Sequence, residues 1–495
     1  MKLTVLTAAT LTLTLALPAG TGSNPPANPY RLADRLEQAV TGEQALRHLT
    51  AWQRAADTHG GNRASGTPGF AQSADYLVRT LRQAGYRVTR QAVPYQEHQV
   101  DIERAVRLDR DVPGPRVLLM RWSPTTPAAG IEAPVVLTPT IQDGLPDPTP
   151  GCEAADYAGL PVHGAIVVAP QTSCGFVAQQ RVAVALGARA MLFYVRTVRP
   201  DNIYRAYLFD PAAISIPLAN VSQRDAERLA ADSAARTVRL RLELRAHTAE
   251  VVTENILAET EGGRPDRVVM AGAHLDSTTE TPGINDNAAA AGALLETALQ
   301  LAPRQRQIRN KVRFAWWGAE ELIEVGSIHY LRQLTPEQRA NITLYLNYEL
   351  IASPNFGRFI VDGDDSDHPG TGSGPGPLGS GAVEAVLTGY YASRGLGYET
   401  ADINSIGSDH WPFRDAGIPI GGLDGGTYQA KSPEQAARYG GLAGEMFDPC
   451  YHQPCDTVAS INRAEFDRNC RAVAWVVGRF AVAVGDVVAQ RNRIG

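Results

Sequence analysis

Apolar positions along the chain recur with two periods. Leu32, Leu36 and Val40, then Leu46, Leu49 and Trp52, give helical spacing from Leu32 to Thr58, and Phe70 to Ala84 continues it until Gly85. Between them the glycine-rich run 60–69 predicts a loop, and Tyr86 to Val93 alternates as a strand. Beyond Ala128 the texture changes. Short β-type runs (133–137, 164–169, 190–194, 214–222) alternate with a helix from Ala178 to Leu186 and a polar helix ending near Ala235, and 238–244 alternates again. No catalytic grouping falls here, so this region reads as an inserted module. From Glu254 onward strands and helices alternate, with strands expected at 268–271, 312–317, 344–350 and 418–421, as in a βαβ layer fold. No repeat of solenoid period occurs.

Residues that carry chemistry collect where these strands end. His274 and Asp276 close the first. Asp286 follows in a loop, just before an alanine-rich helix expected to open near Asn287, an N-cap residue type. The strand ending at Trp317 runs into Gly318-Ala319-Glu320-Glu321, two adjacent carboxylates that can divide metal binding and proton transfer. Glu349 stands inside an apolar run, where a carboxylate needs a partner or a metal. His452 lies between Cys450 and Cys455, on a loop that a disulfide would hold rigid. His274, Asp286, Glu321, Glu349 and His452 together make a donor set suited to two zinc ions that share a carboxylate, with Glu320 free to move a proton. The Gly/Pro/Ser/Asp-rich stretch between Asp362 and Gly381 reads as a loop at the rim, with His368 solvated.

Composition changes this picture little. A formal charge of −6 and the lack of a basic patch exclude a nucleic-acid partner, and lysine occurs only at Lys2, Lys311 and Lys431. A basic tip, an apolar run and the small residues 19–22 predict a secretory signal over residues 1–22, hence export without a lasting membrane association. In an oxidising compartment the 5 cysteines predict pairs Cys152–Cys174 and Cys450–Cys455, leaving Cys470 free in an apolar helical context.

The motifs 62–69, His274-Leu275-Asp276-Ser277, 283–287, 316–321, Tyr345-Leu346-Asn347, Ser353-Pro354-Asn355, Ser408-Asp409-His410 and Cys450-Tyr451-His452 resemble the M28 family of zinc aminopeptidases, of the secreted bacterial type. Gly151-Cys152, 164–168, 174–176 and 186–190 resemble the protease-associated (PA) domain. The resemblance implies an α/β three-layer sandwich with a mixed central sheet, the phosphorylase/hydrolase-like zinc exopeptidase fold, carrying an inserted small β-rich PA domain. It implies a discontinuous catalytic domain over 29–125 and 250–488 and a PA insert over 126–249. It implies peptide substrates and two zinc ions per chain, one on His274 and Glu321, the other on Glu349 and His452, bridged by Asp286. Glu320 would be the general base, Tyr451 would donate to the oxyanion, and Asp276 would steady the His274 ring.

Three positions depart from the family pattern: Glu349 replaces the usual Asp, Ala288-Ala289-Ala290 replaces Gly-Ser-Gly, and Gly407 stands where secreted relatives often have Arg. Glu349 keeps a carboxypeptidase or dipeptidase open beside the aminopeptidase. A non-catalytic binding protein and a single-zinc glutaminyl cyclase are further alternatives.

Overall fold

The computed structural model describes residues 30–142, 145–370, 372, 374–405 and 407–492; the signal expected over residues 1–22 lies outside them. In chain order the strands are β1 (Arg87–Arg107), β2 (Leu118–Leu119), β3 (Ile131–Leu137), β4 (Ile141–Gln142), β5 (Leu145–Pro146), β6 (Ile166–Pro170), β7 (Ala190–Tyr194) and β8 (Leu218–Asn220). There follow β9 (Arg239–Glu259), β10 (Arg264–His274), β11 (Asn310–Trp317), β12 (Ile342–Glu349), β13 (Phe359–Val361), β14 (Glu399–Ala401) and β15 (Ile420–Asp424). Among the described residues they form a 13-stranded mixed sheet in the order β14-β13-β15-β12-β10-β11-β9-β3-β6-β7-β8-β2, with β1 paired to β9, and a separate two-stranded β4-β5 sheet.

Alternation along the central strands builds two layers around the sheet. Val269, Ala271 and Ala273 of β10, Phe314 and Trp316 of β11, and Leu344 and Leu346 of β12 join one core. Covering that face are helices Gly42–Thr58, Pro68–Gln83, Ala290–Leu301 and Arg463–Val482. Met270, Ala315, Trp317 and Tyr345 point the other way and pack with Tyr330 and Phe413 from helices Val325–Gln333 and His410–Asp415. This is the three-layer α/β architecture expected. The inserted module has its own parallel β3-β6-β7-β8 core: Ile166 and Val168 face one cluster, Val167 and Ala169 the other.

Local departures have local causes. The helical stretch from Leu32 to Thr58 is two helices, because Val40 turns extended (φ −95°, ψ 127°) and Thr41 opens the second with a capping box on Gln44. The strands foreseen at 86–93 and 238–244 are parts of the 21-residue β1 and β9, which pair antiparallel from Arg87↔Glu259 to Arg107↔Leu240. That ladder continues from the central sheet into the inserted module, where β3 also pairs with β9. The helix expected to open at Asn287 begins instead after a π-type turn, Ile284–Ala289, in which Asp286 and Asn287 are non-helical. Asn287 does not cap that helix: its Nδ2 donates to the Tyr348 carbonyl at 2.9 Å. The disulfides are Cys152–Cys174 and Cys450–Cys455, and Cys470 is free and buried. Among the described residues no single helix is long and apolar enough to cross a membrane.

Candidate metal centre

β11, β10 and β12 are parallel neighbours, so their C-terminal ends lie side by side. His274 ends β10, Glu349 ends β12, and Glu320 and Glu321 follow the end of β11. Open α/β sheets gather ligands at this edge. Two loops supply the rest. The Asp456 carboxylate accepts the main-chain N–H groups of Asn285 (2.7 Å) and Asp286 (3.1 Å), and Asn285 Nδ2 donates to Asp448 at 2.6 Å, fixing the loop that carries Asp286. His452 projects from the turn closed by Cys450–Cys455. Ala319, Leu350 and His452 all have left-handed backbones, with φ of 55°, 50° and 55°. Non-glycine residues adopt this region at a cost of about 1–3 kcal/mol each, and such outliers cluster at working sites.

The five expected ligand residues converge. His274 Nε2 lies 2.9 Å from Glu349 Oε1 and 3.2 Å from Asp286 Oδ1, and His452 Nε2 lies 3.1 Å from Asp286 Oδ2 and 3.2 Å from Glu321 Oε2. Two triangles result, His274–Asp286–Glu349 and Asp286–Glu321–His452, joined through the two oxygens of Asp286. The partition differs from the expected one: His274 goes with Glu349, not Glu321, and His452 goes with Glu321, not Glu349. His274 stands between the ends of both neighbouring strands, so strand order alone does not choose: Glu349 is the last residue of β12, whereas Glu321 lies past Trp317, the end of β11, on a turn that brings it 3.2 Å from His452. Glu320 is outside both triangles, 3.6 Å from His274 Nε2.

Surrounding groups orient these side chains. His274 Nδ1 donates to the main-chain carbonyl of Asp276 at 3.0 Å, while the Asp276 carboxylate is 3.6 Å away and accepts the Glu320 N–H at 3.2 Å. Asp276 therefore steadies His274 through its backbone and Glu320 through its side chain. Ser408 donates to Glu349 Oε2 at 2.7 Å and accepts from Asn347 Nδ2 at 2.9 Å. Tyr451 stacks on the His452 ring with centroids 3.9 Å apart. Sequence reasoning placed Arg63 in a motif but gave it no role. Its fully buried guanidinium donates to the carbonyls of Pro282 (2.8 Å), Gly283 (2.5 Å) and Leu275, clamping the His274 strand end to the Asp286 loop. A lone Arg in a glycine-rich loop reads as solvated, and only its recurrence in the matched motif could have flagged it.

Negative charge dominates the electrostatics. Burial alone would lower the His274 pKa, but Glu320 and Glu349 outweigh it and hold it well above the ordinary value. His452 behaves likewise beside Glu321 and Asp286. Burial raises the Glu320 carboxyl well above the carboxylate range; the His274 charge opposes this, and Glu349 and Asp409 add to it. Burial, then the charges of Asp286 and Glu321, push the Tyr451 phenol well up, so it stays a donor. A buried carboxylate surplus with imidazole nitrogens facing it fits divalent zinc, whose ligands are His N and carboxylate O. Glu321 Oε1 is buried without a hydrogen-bond partner, as a free ligand atom would be.

Fold and donor set together define a metal-dependent hydrolase of the layered α/β type. Sequence comparison narrows the class. Residues 255–477 match the model of peptidase family M28 and residues 131–229 match the PA domain. The chain is similar to an aminopeptidase of Pseudomonas aeruginosa (36% identity over 469 residues, 92% of this chain and 85% of that one). It is also similar to the probable lipoprotein aminopeptidase LpqL of Mycobacterium tuberculosis (37% over 471 residues, 92% and 89%). Among solved structures its fold is similar to a zinc aminopeptidase from Bacillus subtilis, BSAP (TM-score 0.66, 20% identity, 88% and 94% covered). A peptidase M28 precursor from Shewanella amazonensis gives a TM-score of 0.67 at 20% identity, with 92% and 96% covered. The chain belongs to peptidase family M28 and carries an inserted PA domain.

Proposed function

We propose that the chain is an exported dizinc aminopeptidase that removes N-terminal residues from peptides. The observation that carries this reading is the pair of ligand triangles sharing Asp286, with Glu320 beside them and outside both. Relatives named as aminopeptidases along nearly the whole chain support it, and the two disulfides are compatible with export. One zinc would be held by His274 and Glu349, the other by Glu321 and His452, with Asp286 between them. When bound, the metal pair supplies Lewis acidity, lowering the pKa of water and polarising a carbonyl oxygen.

The protein's own groups do the rest. Glu320 takes the proton of the attacking water and passes it to the departing amine. It lies 3.6 Å from His274 Nε2 and outside both ligand triangles, so its carboxylate is free to accept and return that proton. Tyr451, protonated, donates to the oxygen that becomes anionic. Asp276 fixes both the His274 ring and the start of the Glu320 turn.

We assign residues 29–125 and 250–488 to the catalytic domain, 126–249 to the PA insert, and 1–22 to a cleaved signal. The insert reaches the site's edge: Gln453 Nε2 donates to the Ile203 carbonyl at 3.0 Å and Asn202 Nδ2 to the Pro449 carbonyl at 3.1 Å. It acts as a rim that favours short or unfolded peptides.

A defined peptide incubated with the zinc-loaded protein and followed by mass spectrometry tests the reading. Stepwise loss from the N-terminus is expected. Shortening from the C-terminus alone would reject it in favour of the carboxypeptidase that the longer Glu349 side chain suggests, and an intact peptide would point to a binding protein.

A further inference from the structure

The cavity of about 620 Å³ at the candidate centre extends well past the ligand residues. Its floor is a row across four strands. Parallel pairing sets Glu349 of β12 opposite Asp424 of β15, antiparallel pairing sets Asp424 opposite Phe359 of β13, and parallel pairing sets Phe359 opposite Glu399 of β14. Directly paired residues on adjacent strands present their side chains to the same face. All four line the cavity. Moving away from the metal ligands, the floor therefore reads acid, acid, aromatic, acid, at steps of about 4.8 Å.

The two acids beyond Glu349 are not equivalent. Glu399 is already committed: Arg438 pairs with it at 3.1 Å and Gln435 Nε2 donates to it at 2.9 Å. Asp424 is 5% exposed, accepts the Gly426 N–H at 2.5 Å, and forms no ion pair with a described residue. Burial, with the charges of Glu349 and Asp286 adding to it, pushes its carboxyl up to about 8, and the cavity is the direction from which a cation that ionises it can come. Beside it, Phe359 and Phe447 meet edge to face at 5.2 Å and offer an apolar wall. An apolar flank leading to an uncompensated acid suits a lysine or arginine side chain, whose methylene stem packs on rings while its charged head seeks an anion.

The geometry points to Asp424 as a specificity-determining residue that pairs with the cationic side chain of the substrate's first residue. The inference rests on the aminopeptidase reading. It makes the enzyme selective for basic N-terminal residues, with Asp424 one strand beyond the ligand Glu349.

The test compares kcat/KM for lysyl- and norleucyl-p-nitroanilide, which share a four-carbon stem and differ in the terminal ammonium. The zinc-loaded wild type should favour lysine by about tenfold or more, as a charge-assisted hydrogen bond supplies. Asp424→Asn should lower the lysine-to-norleucine ratio by about tenfold or more. Taking a ratio cancels any effect on metal loading, because both substrates meet the same centre. A wild type that prefers norleucine overturns the inference whether or not the variant folds. A variant in which both substrates slow together at constant ratio also overturns it, since the acid would then serve the α-amine common to both. If the wild type cleaves leucyl and norleucyl anilides without favouring lysine, the inference alone fails. If it cleaves no anilide, the aminopeptidase reading fails and takes the inference with it.

Discussion

Arg63 gives the sharpest perturbation away from the ligands. Arg63→Met keeps most of the stem volume and deletes the guanidinium that donates to the carbonyls of Leu275, Pro282 and Gly283. The Leu275 and Pro282 carbonyls are left unpaired at about 1–3 kcal/mol each, while Gly283 keeps the Ala288 N–H at 3.2 Å, so the sum is about 2–5 kcal/mol. Deleting the charge has a second consequence. The Arg63 pKa is pulled down to about 10 by burial, against the opposing charges of Asp276, Asp456, Asp286 and Glu321, so at neutral pH it is the cation inside that acidic group. Its loss frees the Asp286 loop from the His274 strand end. A shift of about 1 Å at a reacting centre costs on the order of a hundredfold in rate. Calorimetry of the variant should show Tm lowered by about 2–5 °C, the unfolding entropy of a chain this size being on the order of 1 kcal/mol/K, and kcat/KM with saturating zinc should fall about a hundredfold. Arg63→Lys, which keeps the charge but loses the planar fork, should be intermediate. A methionine variant with wild-type Tm and full activity would refute the clamp.

Glu320→Gln should lower kcat by about 10²–10⁴-fold while zinc content by mass spectrometry stays at the wild-type level, because Glu320 lies outside both triangles; a fully active variant would end its assignment as base. Replacing both Cys450 and Cys455 with serine should loosen the turn bearing His452, so that a chelator inactivates the variant faster than the wild type; equal rates would show that the disulfide does not hold that ligand. His410 is buried, with Nε2–H donating to the Ile403 carbonyl and Nδ1 unpartnered, and burial lowers its pKa to about 4. The folded pKa lies below the unfolded value of about 6.5, so its neutral burial is fully favourable above that pH and loses about 3 kcal/mol as pH falls from about 6.5 to 4. Denaturation midpoints of His410→Gln should fall less steeply across that window than those of wild type, and parallel curves would show that His410 is not buried neutral.

Much of the centre was legible because its chemistry stands at strand ends, and strand ends announce themselves by apolar periodicity. His274, Glu320, Glu321 and Glu349 each follow an alternating or apolar run, and His452 is bracketed by cysteines. What the sequence could not show was adjacency. Which carboxylate meets which imidazole depends on how far past its strand end each carboxylate sits and on where the His452 loop folds back, neither of which spacing shows. The long β1–β9 ladder was hidden for another reason: its two-residue alternation fades where the strands leave the central sheet and both faces become partly exposed. Asn287 misled because its type favours a helix N-cap, while in the fold its amide is spent on the backbone of β12. Arg63 shows no local signal, since its partners lie more than 200 residues away, as with Leu275 at a separation of 212.

The account stands on two cations straddling Asp286. Anomalous diffraction at the zinc edge, from a crystal of the zinc-loaded protein, tests this directly. Two peaks are predicted, roughly 3.5–4 Å apart, one beside His274 and Glu349 and the other beside Glu321 and His452. A single peak, or peaks away from these side chains, would contradict it.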